Sequence, residues 1–285
     1  QNSVTPDAVV FEITGSAVEA GECPIAEAGV LDGASSTDSL TTTPRTTVEL
    51  DALGSSYPAG NNDELTYEWT VVDKPVSSRA TVSDPNIAIP SLYLDVAGTY
   101  ALELRVSHPD EPDQCNAVAF VDIEAIPESE IYIELTWETP DDPKPEMDPG
   151  TDLDLHYRNT TGDWNTKWDA NFSRLSPDWG VENDTSDDPR VVQDVTQGHG
   201  PEIILHDSPE EISYQVGVHY LNSHDYGESL ATVRIYVEGL SQFEFEDKSL
   251  SAAGKFWLAA AFHGSDPSTI DSPNTVEQGF PGGGD

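Results

Sequence analysis

Short segments in which apolar and polar residues alternate recur along most of this chain, separated by Pro, Gly, Asn and Asp. Period-two alternation marks half-buried β-strands, because successive side chains leave a strand on opposite faces. The first such segment, Ala8–Thr14, reads AVVFEIT and runs into Gly15. Thr46–Leu53, Leu65–Val72, Ile87–Leu94, Thr99–Ser107 and Ala117–Ala125 follow. Beyond the polar linker Pro127–Glu130 come Ile131–Glu138, Asp152–Arg158, Glu202–His206, Ile212–Tyr220, Ala231–Val237, Gln242–Phe245 and Phe256–Phe262. Regular short strands punctuated by turn residues predict an all-β chain of sandwiches. A length of 285 residues suits two of them in tandem, since one core rarely grows past roughly 250–300 residues. The expected organisation is an N-terminal strand over 1–22, a first β-sandwich over 23–126, a linker over 127–130 and a second β-sandwich over 131–264. A Pro, Ser, Gly and Asp-rich tail over 265–285 is expected to be ordered only if something holds it. The strands leave a long loop at about Asn159–Gly200, and a loop of that length is usually functional or carries local order of its own.

The Ala8–Thr14 strand has no evident partner in the pattern. Val9, Phe11 and Ile13 share one face, with Val10, Glu12 and Thr14 opposite. An unpaired strand invites pairing with another sheet edge. Donated to a neighbouring copy, it makes a head-to-tail contact that builds open filaments. The competing reading is that it ends an upstream domain. Gln1 is expected to be a processed terminus or the start of a fragment.

Charge changes the picture most. Twelve Lys+Arg face 53 Asp+Glu, a formal net charge of −41. Such a chain repels nucleic acid and anionic membrane surfaces, whose binding needs clustered cations. No apolar run approaches the roughly 20 residues that cross a bilayer. Two readings of the acid stay open: a solvated coat that keeps the protein soluble, and hard-cation sites at particular clusters. The two cysteines, Cys23 and Cys115, bracket the first sandwich and lie in no CxxC pair. A single bond closing so long a loop fits an oxidising compartment, and a secreted or cell-surface location follows. Two buried free thiols are the alternative.

Residues 23–126 resemble a PKD-like domain, one of the immunoglobulin-like sandwiches. The resemblance rests on Pro24–Gly29 (PIAEAG), Val48–Asp51 (VELD), Tyr67-Glu-Trp69 and Asp95–Tyr100 (DVAGTY). It implies Trp69 as a large core ring and Tyr100 as a tyrosine corner, whose hydroxyl ties down the approach to a strand. Residues 131–262 resemble an uncharacterised β-sandwich domain of secreted and surface proteins of myxobacteria and their relatives. That resemblance rests on Leu135-Thr-Trp137, Asp152–Tyr157 (DLDLHY), Pro177–Gly180 (PDWG), Gly198–Glu202 (GHGPE) and Tyr214–Tyr220 (YQVGVHY). It implies fold and location and carries no activity.

In a strand, Asp152, Asp154 and His156 share one face and Leu153, Leu155 and Tyr157 the other. Two carboxylates two residues apart repel unless solvated or bridged by a cation, and Ca²⁺ wants six to eight oxygens, mostly from loops. Asp152, Asp154, Asp194 and Glu202 are the candidate ligands, and a solvated acidic face is the competing reading. Five of the seven histidines lie at 156, 199, 206, 219 and 224, yet no HExxH or short His pair is present, which disfavours zinc. Trp164, Trp168 and Trp179 either stack on sugars or pin the long loop to the sandwich. No GxSxG elbow, Cys–His pair or phosphate-cradling Gly loop is present, so the chain is expected not to be an enzyme. Three functions remain: a structural or adhesive surface protein that self-associates or joins other surface proteins, a Ca²⁺-dependent glycan-binding module, and an accessory region of a larger secreted enzyme.

Overall fold

The computed structural model describes residues 23–109, 115–145, 147, 149–196 and 198–281. The Val9, Phe11 and Ile13 strand lies outside them.

The first unit holds β1 (Gly29–Asp32), β2 (Ser35–Thr37), β3 (Ser39–Thr42), β4 (Thr46–Asp51), β5 (Thr66–Asp73), β6 (Ser91–Leu94), β7 (Gly98–Ser107) and β8 (Ala117–Ala125). They form two four-stranded sheets, ordered β2-β1-β4-β6 and β3-β8-β7-β5. Alternation sends Val48 and Leu50 of β4, Trp69 of β5, and Tyr100, Leu102, Leu104 and Val106 of β7 into one core. This is an immunoglobulin-like sandwich. The Tyr100 hydroxyl is fully buried. It accepts from Val96 N–H at 3.2 Å and lies 2.8 Å from the Val96 carbonyl oxygen, fixing the turn into β7. A disulfide joins Cys23 to Cys115 across 92 residues, with their Cα atoms 5.1 Å apart.

The second unit holds β9 (Ile131–Glu138), β10 (Asp152–Asn159), β11 (Asp169–Ala170), β12 (Arg190–Gln193), β13 (Glu202–His206), β14 (Ser213–Asn222), β15 (Ser229–Val237), β16 (Leu240–Leu250), β17 (Lys255–His263), β18 (Asp266–Asp271) and β19 (Thr275–Gln278). One sheet runs β12-β13-β9-β15-β16 and the other β11-β10-β14-β17-β18, with β19 also paired to β17. Their facing sides bury Ile133, Leu135, Trp137, Leu153, Leu155, Tyr157, Val216, Val218 and Trp257. The stretch read as a tail is held: residues 266–278 supply β18 and β19, both hydrogen-bonded to β17.

The two sandwiches meet on the outer face of β9 and β15. There Tyr132, Ile203 and Tyr236 pack with Ala97 of the first unit. Glu134 of β9, fully buried, accepts from the Ala97 N–H at 3.1 Å and the Tyr132 hydroxyl at 3.3 Å, and the Arg234 guanidinium lies 3.6 Å away. Arg45 donates to the Val192 carbonyl at 3.1 Å, and Arg79 pairs with Glu138 at 2.8 Å.

Candidate metal centre

Strand β10 follows its alternation. Leu153, Leu155 and Tyr157 enter the core, so Asp152, Asp154 and His156 face the other way. That outer face is nevertheless covered, leaving Asp152 9%, Asp154 2% and His156 3% exposed. On one side β10 pairs with β14 along its whole length, while on the other β11 reaches only Tyr157 and Arg158. Glu202, at the start of β13 in the opposite sheet, fills part of the open edge. Its Oε2 accepts from Leu155 N–H at 2.6 Å and its Oε1 from Val195 N–H at 3.3 Å. The turn that delivers Glu202 contains Gly200, whose φ is +81° and where a Cβ would meet the Leu135 carbonyl oxygen at 2.8 Å.

Ligand oxygens of Asp152, Asp154 and Glu202 thereby lie within 4.8 Å of one another, all three residues buried. Of the four acidic residues expected to share a cation, these three are brought together. Asp194 is exposed beside them, close enough for its charge to act on all three. Burial raises the Asp152 carboxyl to about 6, with repulsion from Asp194 adding to it. Burial, then the charges of Asp152 and Asp194, raises Asp154 to about 8. Glu202 is pushed well above the usual carboxylate range, first by burial and then by Asp154. A bound cation reverses that logic, because its charge becomes the largest in the site. Asp152 Oδ1 and Asp154 Oδ2 are buried with no hydrogen-bond partner among the described residues. Such atoms cost free energy unless something satisfies them. Oxygen-only donors with orphaned atoms fit a hard cation such as Ca²⁺, with loop and water oxygens completing its shell.

A second group shares Asp154. Strand register places His219 of β14 directly opposite Asp154, and Gly217 opposite His156. A Cβ at Gly217 would sit 2.2 Å from the Phe256 ring, so only glycine lets that ring lie across the sheet. Atoms of Asp154, His156 and His219 lie within 4.8 Å of one another. Sequence reading overlooked this group because it sought zinc spacings local in the chain. The available signal was Asp154-x-His156 on one strand face. The remaining histidines are elsewhere engaged. His206 Nε2 donates to the Asp187 carbonyl at 2.9 Å while its Nδ1 accepts from the Tyr157 hydroxyl at 3.1 Å. Burial lowers the His206 imidazole to about 4. His224 Nδ1 contacts the Gly150 carbonyl at 2.6 Å.

The long loop has local order. Trp179 is 2% exposed, donates from Nε1 to the Lys167 carbonyl at 2.9 Å, and packs on Tyr157 with ring centroids 5.4 Å apart. Trp164, 8% exposed, lies edge-on to Phe256. Burial removes both rings from any flat sugar-stacking face. Trp168 is partly buried and lines a cleft of about 590 Å³ with Lys167, Arg174 and Asp178.

No known protein family matches the sequence, and no curated protein is similar to it. Among solved structures, a nucleoside hydrolase-related protein from Saccharophagus degradans associated with carbohydrate metabolism is 24% identical, with a TM-score of 0.28. That match covers 36% of this chain and 25% of that one, so the likeness spans a quarter of its length. The PKD domain of the KIAA 1837 protein is 19% identical over 39% of this chain and 91% of its own, at a TM-score of 0.27. The D0-D1 domain of intimin is 10% identical over 80% of this chain and all of its own, at 0.25. These likenesses are too slight to bear on function.

Proposed function

We propose that this chain is a non-enzymatic structural or adhesive module of the cell exterior, a tandem of docked sandwiches whose second member is tied together by Ca²⁺. The supporting observation is the buried Asp152, Asp154 and Glu202 cluster with its orphaned oxygens. It lies where β10, β13 and the segment around Val195 converge, so an ion there joins both sheets to the long loop. The disulfide agrees with an oxidising compartment, and the acidic surface suits a soluble, non-clumping exterior protein.

Removing Ca²⁺ at constant ionic strength is expected to loosen the loop first and to lower the melting temperature of the second sandwich. Ligand that exceeds its dissociation constant 100-fold stabilises by about 2.7 kcal/mol. Thermal melts with chelator and with millimolar Ca²⁺ measure it, and superimposable curves sink the calcium reading. Asp152→Asn is expected to abolish the difference.

Assembly through the Val9, Phe11 and Ile13 strand is the finer form of this proposal. Deleting residues 1–16 is expected to leave folded monomers where the whole chain sediments as a polymer. A whole chain that stays monomeric at high concentration ends the filament reading and leaves the module reading standing.

A further inference from the structure

His156 is held as a metal ligand is usually held. Its Nδ1 lies 2.9 Å from Asp169 Oδ2 and 3.1 Å from Oδ1. A carboxylate only accepts, so Nδ1 carries the proton. Asp169 is completely buried and is itself fixed by the Asn165 N–H at 2.7 Å. The other ring nitrogen, Nε2, is buried and has no hydrogen-bond partner among the described residues. A histidine oriented through Nδ1 by a carboxylate, with Nε2 left over, is the usual outer-shell arrangement around zinc. Asp154 Oδ2, also without a hydrogen-bond partner, lies 3.9 Å from His219 Nδ1. Two ligands at about 2.1 Å from one ion stand at most about 4.2 Å apart, so this pair is within coordinating reach. The group's outer limit of 4.8 Å needs only a small inward closure.

We propose that Asp154, His156 and His219 form a site for a divalent transition ion of the zinc class, with Asp169 as the residue that positions His156. Imidazole nitrogens select such ions over Ca²⁺, which takes oxygen. Asp154 belongs to both groups, so its carboxylate bridges this site and the oxygen-only one beside it. The lid is aromatic: Phe280 lies 4.8 Å from His156, 5.0 Å from His219 and 5.1 Å from Phe256 by ring centroids. A cavity of about 80 Å³ lined by His156, His219, Asn165, Asn171 and Phe280 adjoins the ligands. It has room for a water as fourth ligand, since a water's share of liquid volume is about 30 Å³.

The test uses the whole chain, stripped with chelator, returned to millimolar Ca²⁺ and titrated with Co²⁺. One equivalent is expected to give the visible absorption of a tetrahedral nitrogen-ligated ion, and Zn²⁺ is expected to displace it. His156→Gln and His219→Gln are expected to lose the band, and Asp169→Asn to weaken Co²⁺ about 10- to 100-fold. Asp152→Asn is expected to keep the band while losing the Ca²⁺-dependent melt, so either site can fail without the other. Imidazole ¹⁵N NMR of the unsubstituted chain reads the same event without risk to folding, since Zn²⁺ is expected to move the ring-nitrogen resonances of His156 and His219. Weak, non-stoichiometric Co²⁺ binding, a band that survives both His substitutions, or unmoved ¹⁵N resonances would each overturn the site.

Discussion

Reducing the Cys23–Cys115 bond, or replacing both cysteines by serine, is expected to destabilise the first sandwich by about 4–5 kcal/mol. The bond closes 92 residues, and the loop-closure entropy that it removes from the unfolded chain grows with the logarithm of that length. The effect is large relative to the roughly 5–15 kcal/mol that holds a typical domain together. For a domain of this size it corresponds to a fall in melting temperature of about 20 °C or more. The second sandwich holds no cysteine, so its transition is expected to stay near its original temperature. Calorimetry with and without reductant separates the two, and an unmoved first transition refutes the expectation.

Arg234→Met is expected to cost about 1–2 kcal/mol more at pH 8 than at pH 5, because a buried charge left without its partner is relieved only by taking up a proton. The stranded group is Glu134, fully buried on β9. Burial already raises its carboxyl to about 7, against the lowering pull of the Ala97 N–H, Arg234 and the Tyr132 hydroxyl. Because the folded pKa lies above the unfolded one, folding favours protonated Glu134. The penalty is absent below the unfolded value, grows as pH rises through the folded one, and is full above it. The native protein is therefore expected to gain contact stability at this seam between about pH 7 and pH 4.5 on acidification. Without Arg234 the folded value rises and the window extends upward. Denaturant titrations of both proteins at pH 8 and pH 5 check this. A cost equal at both pH values contradicts it.

The strands were legible because their side chains alternate, and Trp69 and Tyr100 stand where that alternation puts them. Asp152 and Asp154 were legible as a pair because two residues on a strand share a face. Glu202 could be associated with them through the Gly198–Glu202 turn. His219 could not be associated with Asp154, since the pairing of β10 with β14 depends on register set by packing across the whole sheet. Strand β9 was misleading in a different way. Its alternation implies one solvated face, yet every residue from Ile131 to Trp137 is buried. The outer face docks against the turn before β7, and docking between domains leaves no periodic trace. Residues 265–285 read as a tail because they are rich in Pro, Ser, Gly and Asp, and the order of residues 266–278 comes from backbone pairing of β18 and β19 with β17, which composition does not encode.

The bond between Cys23 and Cys115 also sets how the molecule answers a pull. Tension applied upstream of Cys23 passes through sulfur to Cys115 and on into β8, bypassing the rest of the first sandwich. The chain between the cysteines, which stand 92 positions apart, would otherwise release about 300 Å of contour length when unravelled. While the bond stays closed that slack is locked away, and the first sandwich behaves under load as a short, nearly inextensible link.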